Sequence, residues 1–179
     1  MVIAELHLGR CPANSDLFPD VTDLLIRKLD PGEELTLRPI FYSAIHEIAC
    51  HDYTPEQIAA WAPAKYCESD WVKRLRSNQP FVVESDGQLI AFADLQSNGL
   101  IDQFFVAASS VRQGVGTLLM NRLLEVAKEK SIAKLHSNVS LTAEAFFRKF
   151  GFEIEQRQIA VVSGVELPNA RMAKLLVPG

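Results

Sequence analysis

Two glycines one residue apart, Gly114 and Gly116, stand where an apolar run ends and a helical pattern begins. The stretch runs from Val106 through Val111 into Arg112-Gln113-Gly114-Val115-Gly116-Thr117, then Leu118-Leu119-Met120. Neither glycine has a side chain to hold a ligand away from the backbone. The first N–H groups of a helix have no partner within it, and the helix dipole places partial positive charge there. Such a helix head suits an anion, and a diphosphate in particular. Arg112 would add a formal charge beside it. The competing reading is a strand–turn–helix whose glycines only permit tight packing. Two other phosphate loops are absent: the chain has neither G-x-G-x-x-G nor G-x-x-x-x-G-K-[ST].

The elements that would hold this loop can be read around it. Phe81 to Glu84 predicts a strand, Ser85-Asp86-Gly87 a hairpin turn and Leu89 to Leu95 the returning strand. After a second turn at Asn98-Gly99, a third strand from Leu100 to Val106 feeds the glycines. The helix from about Gly114 to Lys130 is amphipathic, with Val115, Leu118, Leu119, Leu123, Val126 and Ala127 on one stripe. A strand over Lys134 to Val139, a helix over Leu141 to Phe150 closed by Gly151, and a strand over Phe152 to Val162 follow. Ser163-Gly164 begins a turn region, and Ala170 to Val177 is the last strand.

Upstream, Val2 to Leu8 reads as a strand and Pro12 to Pro19 as loop. Val21 to Leu29 has helical spacing, with Leu24, Leu25 and Leu29 on one side, and Asp30-Pro31-Gly32 ends it. Leu35 to Ile40 is read as a strand and Phe41 to Cys50 as a helix. Thr54-Pro55-Glu56-Gln57 has the form of a capped helix start, leading through Trp61. A short helix over about Ser69 to Ser77 is capped by Asp70 or Ser69, with Trp71, Val72 and Leu75 inward.

At 179 residues the chain can bury a sizeable single core. Hydrophobic residues make up 48% and charged residues 22%, the balance of an ordinary globular protein. A net charge of −4 argues against a nucleic-acid or membrane-surface binder. Three scattered cysteines, Cys11, Cys50 and Cys67, suggest reduced thiols. His46, Cys50, His51 and Cys67 lack the spacing of a metal site, so no metal is expected. With no secretory signal and no membrane-length apolar run, a cytoplasmic location is expected.

The chain resembles the GNAT N-acetyltransferase superfamily. Val106 through Gly114 and Gly116, between a strand and an amphipathic helix, is similar to that superfamily's acetyl-CoA motif. Asn138 through Phe152 is similar to its later strand–helix segment. The early helix Asp52 to Ala62, with Pro168-Asn169, is similar to small single-domain bacterial members. The resemblance covers about residues 35–177 and implies an α/β (α+β) fold. Its central sheet would be mixed, mostly antiparallel and of about seven strands, splayed at the cofactor, with helices on both faces. Residues 35–179 would be the acetyltransferase domain and residues 1–34 an extension packed on it.

The implied activity is transfer of an acetyl group from acetyl-CoA to a primary amine of a small molecule or peptide, by direct attack and without a metal. The pantetheine arm would bond to the backbone of Phe105 and Val106, between the strands ending at Val106 and Val139. The diphosphate would rest on the amides of Arg112, Gln113, Gly114, Val115, Gly116 and Thr117. Asn138, Ser140 and Phe147 would complete the cofactor site. The backbone N–H of Val106 would stabilise the oxyanion.

The sequence departs from the family pattern in places. Val111 replaces the usual Gln or Arg, Ser140 the usual Asn, and Leu100 a usual acid. Phe147 replaces a Tyr whose hydroxyl protonates the thiolate in relatives. The amine must also lose a proton, since an alkyl ammonium has a pKa of about 10. Asp102 is the first candidate base, with Glu84, Asp94, His46 and His51 behind it; an acid inside an apolar strand invites suspicion. Trp61 and Tyr53 either wall the acceptor pocket or pack in the core. The missing proton-handling groups also favour a rival, a CoA-binding sensor without turnover. A homodimer is among the oligomeric states left open.

Overall fold

The computed structural model describes residues 24–176, and within them seven strands form two antiparallel sheets. The first sheet sets β1 (Leu25–Lys28), β2 (Phe81–Ser85), β3 (Gln88–Ala93) and β4 (Phe104–Val106) side by side in that order. The second places β7 (Val165–Leu175) between β5 (Lys134–Ser140) and β6 (Glu153–Val162). Both hairpins turn on two residues with positive φ, Asp86 and Gly87 in one and Ser163 and Gly164 in the other. That backbone twist matches the twist of the flanking strands.

Period-two alternation assigns the faces. Val82, Phe92 and Phe105 point to one side, where α1 (Leu37–Ser43), α2 (Pro55–Trp61) and α3 (Glu68–Asn78) cover them. Val83, Ala91, Phe104 and Val106 point to the other, under α4 (Val115–Glu129) and α5 (Glu144–Lys149). Helices therefore lie on both faces, as expected.

The two sheets meet at one place. Ile101 N–H donates to the His136 carbonyl at 2.9 Å, His136 N–H donates to the Gly99 carbonyl at 2.9 Å, and Ser137 Oγ donates to the Ile101 carbonyl at 2.7 Å. Gly99 is required at this junction, because a Cβ there would lie 2.0 Å from the Lys134 carbonyl oxygen. Beyond it, no backbone hydrogen bond among the described residues joins Phe104–Val106 to β5. The sheet splays there, between the two strands anticipated.

Four element assignments are corrected. Leu35 to Ile40 is not a strand: a 3₁₀ turn over Glu34–Thr36 leads into α1, which continues as a π-helical turn (Ala44–Ile48) and a further 3₁₀ turn (Ala49–His51). Leu37, Ile40, Phe41, Ala44 and Ile48 are all buried, so the helical period governs. Pro39 is tolerated because it falls in the first turn, where its missing N–H has no intrahelical acceptor.

The reverse error occurs at Val21 to Leu29. Its described part is the edge strand β1, paired antiparallel with β2. The strand read over Leu100 to Val106 begins only at Phe104, because the Asp94 carboxylate accepts from Asp102 N–H at 2.8 Å and Gln103 N–H at 3.4 Å, displacing the ladder. The last strand starts at Val165 rather than Ala170. The Thr54 cap is present as a full capping box with Gln57, whereas Cys67 rather than Ser69 or Asp70 occupies the N-cap of α3 and makes no side-chain capping bond. The readings over Val2 to Leu8, Pro12 to Pro19 and Val177 lie outside the described residues.

Candidate active site

The head of α4 is built from backbone. Val106 leads through Ala107 and a short 3₁₀ turn (Ala108–Ser110) to Gly114, which caps the helix in the left-handed region with φ 81° and no side-chain bond. A Cβ on Gly114 would meet nothing within 4 Å, so glycine is present for its conformation and the loop face is open. The first helical bond at this end runs from Leu118 N–H to the Gly114 carbonyl, at 2.9 Å. The amides of Val115, Gly116 and Thr117 thus have no intrahelical acceptor. Arg112 is exposed with φ 63°, and no acid lies in the first turn of α4. The Gln113 side chain donates to the Ser109 carbonyl at 2.9 Å and braces the loop.

Beside this head runs the free edge of β4. Asp94 N–H donates to the Gln103 carbonyl at 3.0 Å and Ala107 N–H to the Ile90 carbonyl at 2.8 Å. Alternation in an antiparallel ladder then commits Phe105 to β3 and turns the N–H and C=O groups of Phe104 and Val106 toward the split. The backbone of Phe105, expected to hold a ligand, is therefore paired with β3, and the groups turned toward the split are those of Phe104 and Val106.

A cavity of about 260 Å³ opens on the other face of the split. Phe41 and Trp61 come from the helices, Phe105 and Gln103 from β4 and the residue preceding it, and Asn138, Val162 and Asn169 from the second sheet. Arg74 of α3 closes one side. Gln158 Nε2 donates to Asn138 Oδ1 at 2.8 Å and to Asn169 Oδ1 at 2.7 Å. Tyr53 lies beneath Trp61, edge-on at 5.5 Å, and its hydroxyl donates to the Pro168 carbonyl and accepts from Leu141 N–H. Of the two aromatic residues read as either walling an acceptor pocket or packing in the core, Trp61 lines the cavity and Tyr53 is buried beneath it.

A polar cluster sits next to Gln103. Arg74 donates to Asp102 Oδ2 from Nη2 at 2.6 Å and from Nε at 3.1 Å, and Asn78 Nδ2 donates to the same oxygen at 3.1 Å and to Asp94 Oδ2 at 2.6 Å. Burial alone would raise the Asp102 pKa, but the bonds and charge of Arg74 bring it below the usual carboxylate value. Asp102 is thus ion-paired with Arg74, and it lies outside any strand. Asp94 is fully buried, and burial pushes its pKa up to about 6 against the backbone and Asn78 bonds it accepts.

Other expected groups are engaged elsewhere. Glu84 pairs with Arg27 at 2.9 Å, and the His46 ring bonds the Ala62 carbonyl at 2.8 Å while stacked on Tyr42. Ser140 caps the turn after β5 by accepting from Ala143 N–H at 3.2 Å. Phe147 is fully buried against Phe104 and Phe152, and its side chain packs in the core. Gln103, a polar residue in phase with Phe105 inside the run Ile101-Asp102-Gln103-Phe104-Phe105-Val106, lines the cavity although no sequence motif marks it.

An acetyltransferase (GNAT) domain model matches residues 49–174, which is most of the chain. The protein belongs to the GNAT acetyltransferase family. It is 31% identical over 152 residues to an uncharacterized N-acetyltransferase, YafP, of Escherichia coli K12, covering 85% of this chain and 96% of that protein. A crystal structure from Rhodopseudomonas palustris, described as a GCN5-related N-acetyltransferase and class-II aminotransferase, superposes with a TM-score of 0.81 at 30% identity over 85% of this chain and 95% of that one. The PaiA N-acetyltransferase of Thermoplasma acidophilum, solved with coenzyme A, shares the fold with a TM-score of 0.67 at 19% identity, covering 86% of this chain and 99% of that one. As a family member the protein is an acyltransferase. No helix among the described residues is long and apolar enough to cross a membrane.

Proposed function

We propose that this protein transfers an acetyl group from acetyl-CoA to a primary amine by direct attack on the thioester. The carrying observation is the continuity of three features: the helix head at Gly114, the unpaired edge of β4, and the cavity beyond it. The diphosphate lies on the amides from Arg112 to Thr117, the pantetheine arm along Phe104 and Val106, and the amine approaches from the cavity. The Val106 N–H, turned into the split, is the donor for the oxyanion that forms when nitrogen attacks the carbonyl. Collapse of that intermediate forms the amide and expels the CoA thiolate, and the proton lost from the attacking nitrogen passes through water to the thiolate sulfur.

Asp102, paired with Arg74 and held below the usual carboxylate pKa, is not in the cavity lining and does not deprotonate the ammonium. The unprotonated fraction of amine in solution is then the reactant, and kcat/KM rises with pH toward the amine's own pKa. The relative from Thermoplasma solved with coenzyme A supports the choice of cofactor. Calorimetry with acetyl-CoA and thiol release over a panel of primary amines test the reading. No binding from micromolar to millimolar acetyl-CoA overturns it, and binding without release on any amine establishes the turnover-free module instead.

A further inference from the structure

Gln103 is the one residue of the cavity wall whose side-chain amide is buried with both polar atoms unpaired among the described residues. Gln103 is 1% exposed, and neither its Oε1 nor its Nε2 has a hydrogen-bond partner among the described residues. A buried amide left unpaired costs stability, and folded proteins rarely leave one so. The other wall amides are engaged: Asn138 and Asn169 both accept from Gln158, and Asn169 Nδ2 donates to the Leu167 carbonyl at 3.5 Å. The backbone around Gln103 is fixed on both sides by Asp94, which donates to the Gln103 carbonyl and accepts from its N–H. The side chain is therefore held at the cavity by a rigid main chain.

We propose that Gln103 selects the acceptor, and that the acceptor is an amine carrying a carboxamide or peptide group. This rests on the acyltransferase reading of the site. The amide comes to the cavity surface when the acceptor is bound, and two reciprocal bonds form, from Nε2 to the acceptor carbonyl and from the acceptor N–H to Oε1. Only a group with adjacent donor and acceptor meets both needs. The pairing works for either orientation of the terminal amide. A carboxylate would satisfy Nε2 and set its second oxygen against Oε1, and an alkyl group would satisfy neither. No carboxylate lines the cavity and its one charged side chain is Arg74, so the cationic end of the acceptor points to the split. At about 3.3 Å per residue of strand, Gln103 lies roughly 10 Å along the chain from Val106, which leaves room for a spacer between amine and amide. The cavity size suits a small molecule or one residue of a peptide.

The test uses three amines of one shape, 4-aminobutanamide, 4-aminobutanoate and 4-methylpentylamine, with spacers one methylene shorter and longer. Thiol release from acetyl-CoA gives kcat/KM for each, and their binding to the CoA-loaded protein gives the same comparison without turnover. At the best spacer the amide should exceed both others by about ten-fold or more. In Gln103→Leu that preference should fall toward one, with the acetyl-CoA affinity kept and the melting temperature equal or higher, since an unpaired buried amide has been removed. An amide no better than the carboxylate or alkyl amine in both measurements, or a preference that survives in Gln103→Leu, overturns the proposal. Amide-selective binding with no thiol release would leave Gln103 standing while the acyltransferase reading falls.

Discussion

The two sides of the splayed sheet are built by different means. On the α4 side, the proposed carrier site consists of main-chain amides from one contiguous segment, Arg112 to Thr117, and the key side chains are absent ones. On the cavity side, the proposed acceptor site is lined by side chains from α1, α2, α3, β4, β5, β6 and β7, brought together only by the complete fold. The first kind of site tolerates change in sequence as long as the backbone geometry holds. The second changes its specificity with single residues. One scaffold can thus keep its carrier constant while its acceptor varies.

The sharpest way to break this contrast is at Gly114. Gly114→Ala adds a Cβ that meets nothing within 4 Å and costs only the positive φ, about 1 kcal/mol. Gly114→Glu sets a carboxylate against the diphosphate at the same position. Calorimetry should show acetyl-CoA affinity falling less than about ten-fold in the first and at least about a hundred-fold in the second. Equal affinity in a folded Gly114→Glu protein would move the carrier off this helix head.

The same contrast explains what could be read from the chain. The α4 loop announces itself within a dozen residues, because glycine spacing, strand end and helix start are all local. Gln103 does not. Its meaning depends on Asn138, Asn169 and Gln158 having spent their amides elsewhere, and no local pattern records that. The exchanged strand and helix near the start have a simpler cause. Leu24, Leu25 and Leu29 fit a helix, but only the pairing of Leu25–Lys28 with β2 decides the matter. Leu35 and Leu37 alternate like a strand until the buried series from Leu37 to Ile48 is taken over its full length. The glycine and turn residues of the two hairpins were legible because positive φ is a local demand.

Asp94 tests whether the cavity side is held as rigidly as its bonds suggest. Its folded pKa, pushed up to about 6, lies above the unfolded 3.8. Between those values the folded protein binds more proton, so the stability this residue contributes is full below about pH 4 and is lost as pH rises through 6. Asp94→Asn removes that dependence. Glu33 and Glu34 are shifted the other way, but they are common to both proteins and cancel in the difference, whereas the Asp102 charge is one cause of the Asp94 shift and is already part of it. Urea midpoints should show the variant gaining on the wild type by up to about 3 kcal/mol between pH 4 and pH 7.5. A difference that is the same at both pH values would mean Asp94 is charged without penalty and does not anchor the loop that carries Gln103.

The smallest of these effects concerns how the helical face is tied to the second sheet. The Tyr53 hydroxyl donates to the Pro168 carbonyl at 2.7 Å and accepts from Leu141 N–H at 3.0 Å, joining the approach to α2 with the segments flanking β5 and within β7. Burial holds that hydroxyl neutral, with its pKa pushed up to about 12, so the tie is independent of pH in the physiological range. Tyr53→Phe keeps the ring under Trp61 and strips only the hydroxyl. It leaves two main-chain groups short of a partner, which costs about 2 kcal/mol and lowers Tm by roughly 4–8 °C. Acceptor KM should rise, because Trp61 and Asn169 then move independently, while acetyl-CoA affinity should hold, because nothing in the α4 head depends on Tyr53. A parallel loss of both affinities would show that the two sides are one cooperative site, and the division between main-chain and side-chain recognition would no longer describe how this protein works.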